Sequence, residues 1–315
     1  MKILGLGYPC MDMNILCPVM PGEDQLVEMK DVSLMGGGKV ANAIAAAARL
    51  GASTGFIGAA GSDRYGRLCR QDLEEHGADV SRLEIREGHT ALCLSIVDEE
   101  HRGKHYIESP ATYEKMKPCE LDQEYLETAD YLMLFQMDET AVKACDIVRA
   151  AGGKVVVDGD EPDERIQKHL SGMDILIASE YYYHFLFQDE AFEKNLRSLS
   201  EKGPEIVLVT LGDRGCVGLD HGVFFSAEPF DVKVEDTTGA GDVFHGAFVY
   251  ALSEGMSAKK AAEFASAVSA IKCTVLGGRT GMATRKGVEI FMETGEILPE
   301  DFEERNQKYR KAVWD

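Results

Sequence analysis

A chain of 315 residues with 45% hydrophobic content can bury one sizeable core, as a single large α/β domain with a small appendage or as two domains. Its 54 acidic against 33 basic residues give a net charge of −21, a field that repels nucleic acid and anionic membrane, so an anionic ligand must be held by local cations and helix ends. Eight cysteines, at positions 10, 17, 69, 93, 119, 145, 216 and 273, form no CxxC pair or zinc-like grouping and read as reduced, mostly buried thiols. The apolar start Met1–Gly7 is too short for a signal peptide and no run approaches the ~18 residues of a membrane span, so the expected location is the cytoplasm.

In chain order, Lys2 to Tyr8, Thr54 to Ala59, Tyr131 to Phe135, Lys154 to Asp158, Asp174 to Ile177 and Ile206 to Thr210 are short, apolar and turn-bounded, the pattern of buried parallel strands. Between them Val40 to Leu50, Arg64 to His76, Glu139 to Ala151 and Phe192 to Lys202 carry helical spacing, and the alternation predicts a parallel sheet covered on both faces. Residues 13–35 and 89–109 break the rhythm, with Thr90 to Val97 and Lys104 to Ile107 predicted as antiparallel strands. The acidic run Asp158 to Glu164 reads as a solvated connection, with metal binding as the alternative. After residue 236 the pattern turns helical, over Val243 to Ser253, Lys259 to Lys272 and Arg285 to Met292.

Three stretches carry chemistry. In Asp236-Thr237-Thr238-Gly239-Ala240-Gly241-Asp242-Val243-Phe244-His245-Gly246-Ala247 a glycine turn runs into an apolar helix. Free amides of Gly239, Ala240 and Gly241 would trap an anion there, with the Asp242 carboxylate beside it, although an acid in a helix first turn is also ordinary. In Gly36-Gly37-Gly38-Lys39-Val40-Ala41-Asn42 the glycines let backbone approach a ligand, and Lys39 and Asn42, three apart, share one face that can address a polyol. The bland reading is a glycine turn capping an alanine-rich core helix. Gly5-Leu6-Gly7 invites a dinucleotide-binding reading, but the third glycine is missing and Pro9 and Cys10 stand where a helix should begin.

The Asp236–Ala247 stretch resembles the second signature of the ribokinase-like (PfkB) family of sugar kinases, and Gly36 to Gly51 resembles its first, in the right order and about two hundred residues apart. The likeness runs from Met1 to about residue 295. It implies an α/β, ribokinase-like three-layer α/β/α fold with a mostly parallel central sheet, the kinase domain taking residues 1–12, 36–88 and 110–315 and a small β-sheet lid taking 13–35 and 89–109. It implies ATP-dependent transfer of a phosphoryl group, with Mg²⁺, to a sugar hydroxyl. Asp242 would be the general base, and Gly239, Ala240 and Gly241 would hold the developing charge. Asp12, delivered by the first strand, would bind the sugar with Gly37, Gly38, Lys39 and Asn42, and Asp138 is the nearest acid to a further sugar contact.

Thr210, Gly212 and Gly215 resemble the family's T-x-G-x-x-G turn beside the nucleotide, a segment that alone is also a plausible hairpin; Gly241 and Gly278 would join it. Potassium is sometimes bound near the residue corresponding to Asp236. The family's N-x-x-E motif is replaced by Ser179-Glu180-Tyr181-Tyr182, leaving Glu180 to act on Mg²⁺ through water or the nucleotide's own oxygens to hold the metal. Lys39, Arg214 and Arg279 are candidate cations for the nucleotide; Arg279 pairs with a phosphate or an acidic sugar, or interacts with a helix C-terminus. The expected partners are a sugar and ATP, not nucleic acid or membrane, with a homodimer through the lid. A nucleoside kinase, a catalytically silent sugar-binding relative and an NAD-dependent oxidoreductase are the alternatives.

Overall fold

The computed structural model describes residues 1–100 and 103–315, so residues 101 and 102 of the expected lid segment 89–109 lie outside the described residues. Thirteen strands follow in order among the described residues: β1 (Lys2–Gly7), β2 (Cys10–Cys17), β3 (Asp31–Gly37), β4 (Ser53–Gly61), β5 (Asp79–Arg86), β6 (Ala91–Asp98), β7 (Gly103–Ser109), β8 (Tyr131–Leu134), β9 (Lys154–Gly159), β10 (Ile175–Ser179), β11 (Ile206–Thr210), β12 (Cys216–Asp220) and β13 (Val223–Ala227). Nine form one sheet in the order β13-β12-β11-β10-β9-β8-β1-β4-β5, parallel except for the antiparallel pairs β11–β12 and β12–β13. The fold class expected from the sequence is the one observed.

Strand alternation divides the core in two. Ile3 of β1 joins Ile44, Phe56, Phe248 and Val249 on one face, while its neighbour Leu4 joins Leu132, Val157 and Leu176 on the other. Because helices cover both faces, the strands are apolar throughout, which is why they stand out in the sequence. Among the described residues no helix is long and apolar enough to cross a membrane. All eight cysteines are free, and only Cys119 is exposed.

A second, four-stranded sheet has the order β3-β2-β6-β7. It is not wholly antiparallel as expected: its central pair, β2 and β6, runs parallel, Asp12 standing opposite Cys93. The two strands are brought together by chain that leaves for the main sheet and returns, so no hairpin links them. Its inner face rests on the main body, through Leu16 and Val97 against Leu276 and through a 3.0 Å hydrogen bond between the hydroxyls of Ser95 and Thr238. The helix Glu303–Lys311 closes over β3, with Arg310 Nε donating to Asp31 at 3.0 Å.

Candidate active site

The carboxyl ends of parallel strands are where α/β sheets place ligands. Here a cleft of about 740 Å³ opens between those ends and the small sheet. Of the residues singled out in the sequence, it is lined by Asp12, Gly38, Lys39, Asn42, Asp138, Thr210 and the run Gly239 to Asp242. Gly37, Glu180, Gly212, Gly215, Asp236 and Gly278 do not line it.

Asp242 sits in the first turn of the helix Ala240–Ser253, led by Gly239 at φ 70°. That helix packs on Lys39–Arg49 so closely that a Cβ on Gly246 would stand 2.0 Å from the Ala43 carbonyl oxygen, and only glycine permits the crossing. Its consequence is a contact across the two helices: Asn42, next to Ala43, donates through Nδ2 to Asp242 Oδ2 at 2.7 Å. The other end of the amide, Oδ1, accepts from Arg279 Nε at 2.8 Å, so both polar atoms of Asn42 have protein partners. The residue expected to address a polyol thus holds the Asp242 carboxylate, and it lines the cleft as well.

Burial first, and the nearby Asp158 second, push the Asp242 carboxyl up to about 6, against the pull of the Asn42 amide, Lys39 and His245. The amide of Ala240 donates to Thr237 O at 3.2 Å, whereas helix geometry leaves first-turn amides such as that of Gly241 without a carbonyl four residues back. Gly241 is exposed to the cleft and nothing stands within 4 Å of where its Cβ would be.

Asp12 was expected at the carboxyl end of the first strand. It lies instead on β2, because β1 ends at Gly7 and Tyr8-Pro9 turns the chain into the small sheet, which begins at Cys10 rather than after residue 12. From there its carboxylate still reaches the cleft. It accepts from Cys10 Sγ at 3.1 Å, and burial pushes it up to about 6. Gly37 serves Asp12 rather than a ligand: a Cβ there would stand 2.0 Å from the Asp12 carboxylate.

Lys39 bonds Asp160 and reaches Glu161 at 3.3 Å, its ammonium lying 4.1 Å from the centre of the Phe135 ring. Burial works against its charge, but Asp158, Asp160 and Asp242 together hold it protonated beyond the usual lysine range. The acidic run is a solvated connection only in part: Glu161, Pro162 and Glu164 are exposed, but Asp158 is buried, and Asp158, Asp160 and Glu161 all line the cleft. Their position at the end of an apolar strand was the available signal. His245, three residues after Asp242 and missed in the sequence, places Nδ1 3.2 Å from Asp158 Oδ2, and its proton affinity is raised by Asp158 against the cost of burial. Lys104 and Tyr106 of β7 also face the cleft, Lys104 donating to Thr237 O at 3.3 Å.

Other expectations are relocated. Asp138 caps the helix Glu139–Ala150, accepting from Ala141 N at 2.9 Å, while still facing the cleft. Glu180 is turned to the surface, where Arg214 engages it and His184 stands 3.6 Å away, so neither Glu180 nor Arg214 points into the cleft. Ser179 instead caps the helix Glu180–Leu186 through Tyr182 N at 3.1 Å and donates to Asp160 O at 3.0 Å. The Thr210–Gly215 turn is a hairpin connection between β11 and β12, and only Thr210 of its three candidates meets the cleft. Arg279 is neither a phosphate ligand nor an exposed helix-end cation: it is fully buried, with Nη1 2.7 Å from Asp72 Oδ2 and Nη2 3.1 Å from Gly37 O. Gly278 lies beneath Asn42, where a Cβ would be 3.5 Å from Nδ2.

A mostly parallel sheet covered on both faces, with a glycine-led helix start at its carboxyl edge and a small separate sheet above, defines a ribokinase-like fold. Two solved structures share it: a ribokinase from Thermotoga maritima, with TM-score 0.78, 26% identity and coverage of 93% of this chain and 99% of that one, and the Arabidopsis thaliana ribokinase complexed with ribose and ATP, with TM-score 0.77, 25% identity and coverage of 93% and 98%. Among relatives, the 5-dehydro-2-deoxygluconokinase of Shouchella clausii is 29% identical over 314 residues, covering 92% of this chain and 95% of the relative. The ribokinase of Haemophilus influenzae is 28% identical over 297 residues, covering 91% and 97%. The pattern of the pfkB family carbohydrate kinases matches residues 2–285, and the chain belongs to that family.

Proposed function

We propose that this protein transfers the γ-phosphoryl group of ATP, with Mg²⁺, to a hydroxyl of a small sugar or sugar derivative. The observation that carries the reading is the convergence of Asp242, the Gly239–Gly241 helix start and Asp12 on one cleft. Phosphoryl transfer asks a protein for positioning and charge stabilisation rather than covalent chemistry, and these residues supply both. Asp242 takes the proton of the attacking hydroxyl, the amides at the helix start hold charge on the moving group, and Asp12 accepts hydrogen bonds from the sugar. The open approach to Gly241 fits a phosphate. Asp158 Oδ1 is buried without a hydrogen-bond partner, an acceptor suited to a water of Mg²⁺, whose charge would offset that of the phosphates.

ADP release measured with ribose, fructose, 5-dehydro-2-deoxygluconate, 2-keto-3-deoxygluconate and nucleosides tests the reading. Sugar-dependent release is the expected result. Release with nucleosides alone would make the protein a nucleoside kinase, and sugar binding without release a silent relative; either overturns the proposal.

For the sugar end, Asp12→Ala is expected to weaken sugar binding by about 1–3 kcal/mol, the cost of leaving a buried polar partner unsatisfied. Calorimetry giving equal affinity would remove Asp12 from the binding residues.

The small sheet acts in this reading as a lid whose closure keeps water from ATP. Its β3 edge carries a helix, whereas among the described residues no strand lies beyond β7, which is exposed along nearly its whole length, with Tyr106 and Ile107 both more than half exposed. Such an edge pairs readily with a second copy. A homodimer joined through the lids is expected, with β6 and β7 gaining hydrogen-exchange protection on sugar binding. A monomer in ultracentrifugation whose β7 amides exchange equally with and without sugar would overturn both expectations.

A further inference from the structure

A potassium ion near Asp236 would need that residue's oxygens, and a buried ammonium already stands against them. Asp236 Oδ1 accepts from Thr238 N and Oδ2 from Gly277 N, each at 2.8 Å. Its carbonyl oxygen accepts from Lys272 Nζ at 2.7 Å, and the same ammonium lies 4.0 Å from Oδ2. Lys272 is the last residue of the helix Ala258–Lys272 and has no exposed surface, so its ammonium group is part of the interior rather than of the surface. It also sits at the negative end of that helix, where a cation is favoured. The next residue fixes the same strand of chain, Cys273 O accepting from Glu235 N at 2.8 Å and Asp236 N at 3.1 Å. These residues do not fit a potassium ion.

The geometry points to Lys272 as a built-in monovalent cation: its ammonium does for the Asp236–Thr238 turn what a bound potassium ion would do, and the reaction is independent of potassium. The inference rests on the kinase reading above. Asp236 begins the segment that delivers Gly239 and Asp242, so the ammonium is a positioning group for the helix start, not one that touches substrate. Without it the buried carbonyl oxygen of Asp236 would lose its side-chain donor and the buried carboxylate the cation beside it.

The test compares wild-type protein and Lys272→Ala in potassium, ammonium and tetramethylammonium chloride at equal ionic strength, by ADP release and by thermal melting without ligands. Wild type is expected to show the same turnover and melting temperature in all three. Lys272→Ala is expected to melt lower and turn over more slowly in tetramethylammonium, and to regain both with potassium or ammonium, ions small enough for the vacated space. A rise of about fivefold or more in wild-type turnover with potassium, the low end of coupling between two sites, overturns the inference. So does a melting temperature of the variant that no small cation restores. Should Lys272→Ala not fold, the wild-type cation series decides by itself. Absence of any sugar kinase activity would fail the functional reading instead, leaving the melting arm to judge Lys272.

Discussion

Asp242→Asn is expected to lower turnover by about 10²–10⁴-fold, the range for loss of a general base, while sugar affinity survives. The amide keeps the shape of the carboxylate, and its oxygen can still accept from Asn42 Nδ2, which stands 2.7 Å from Asp242 Oδ2. What it cannot do is accept a proton. The pH profile provides the second readout. Because burial and Asp158 push the Asp242 carboxyl up to about 6, the group holds a proton below that pH and is ionised above it. Activity of the wild type should therefore fall as pH falls through about 6 and reach a plateau above neutrality.

Asp12 titrates in the same range, also near 6, and the two carboxyls influence one another, so the acid limb belongs to the pair. Asp12→Ala separates them: the limb should persist in that variant and vanish in Asp242→Asn. An Asp242→Asn enzyme that keeps more than about a third of wild-type turnover at unchanged KM has lost no transition-state interaction, and Asp242 is then not the base.

The six parallel strands read from the sequence lie within a few residues of those observed, since strands buried on both faces are unbroken apolar runs. β5 escaped because Asp79, Arg82, Glu84 and Arg86 make its sequence half polar, as befits a sheet edge with one face in water. β12 and β13 escaped because their turn is His221-Gly222, at φ 45° and 82°, without the usual Asn or Asp before glycine. Local pattern singled out Asp242 and Lys39, and both line the cleft. It misplaced Arg279, whose partners Asp72 and Asn42 lie 207 and 237 residues away, a separation that no local reading spans. Asp158 and Asp160 were taken for solvated charge for the same reason, since the side chains that meet them, His245 and Lys39, come from two other segments.

Arg279→Met should be the most destabilising of these substitutions, by about 3–5 kcal/mol, because it strands a buried carboxylate. Asp72 accepts from Arg279 Nη1 and from the Tyr309 hydroxyl, each at 2.7 Å, with its side chain only 6% exposed. Burial alone would raise this carboxyl; the guanidinium reverses that and holds it below the usual range. Its contribution is accordingly present above the ordinary carboxylate pKa and lost as pH falls through the depressed one, so the stability deficit of the variant should be full near neutrality and shrink as pH falls through the carboxylate range. The chain of contacts runs from Tyr309 through Asp72, Arg279 and Asn42 to Asp242, so lowered turnover should accompany the lowered stability.

Denaturant midpoints for Arg279→Met, Asp72→Leu and the double variant distinguish this account from simple loss of packing. With both charges removed the stranded group is gone, so the double should be less destabilised than the two singles added together. A double that costs the full sum, or a single Arg279→Met that costs under about 1 kcal/mol, would show that the buried pair carries no such coupling and that Asn42 is held by other means.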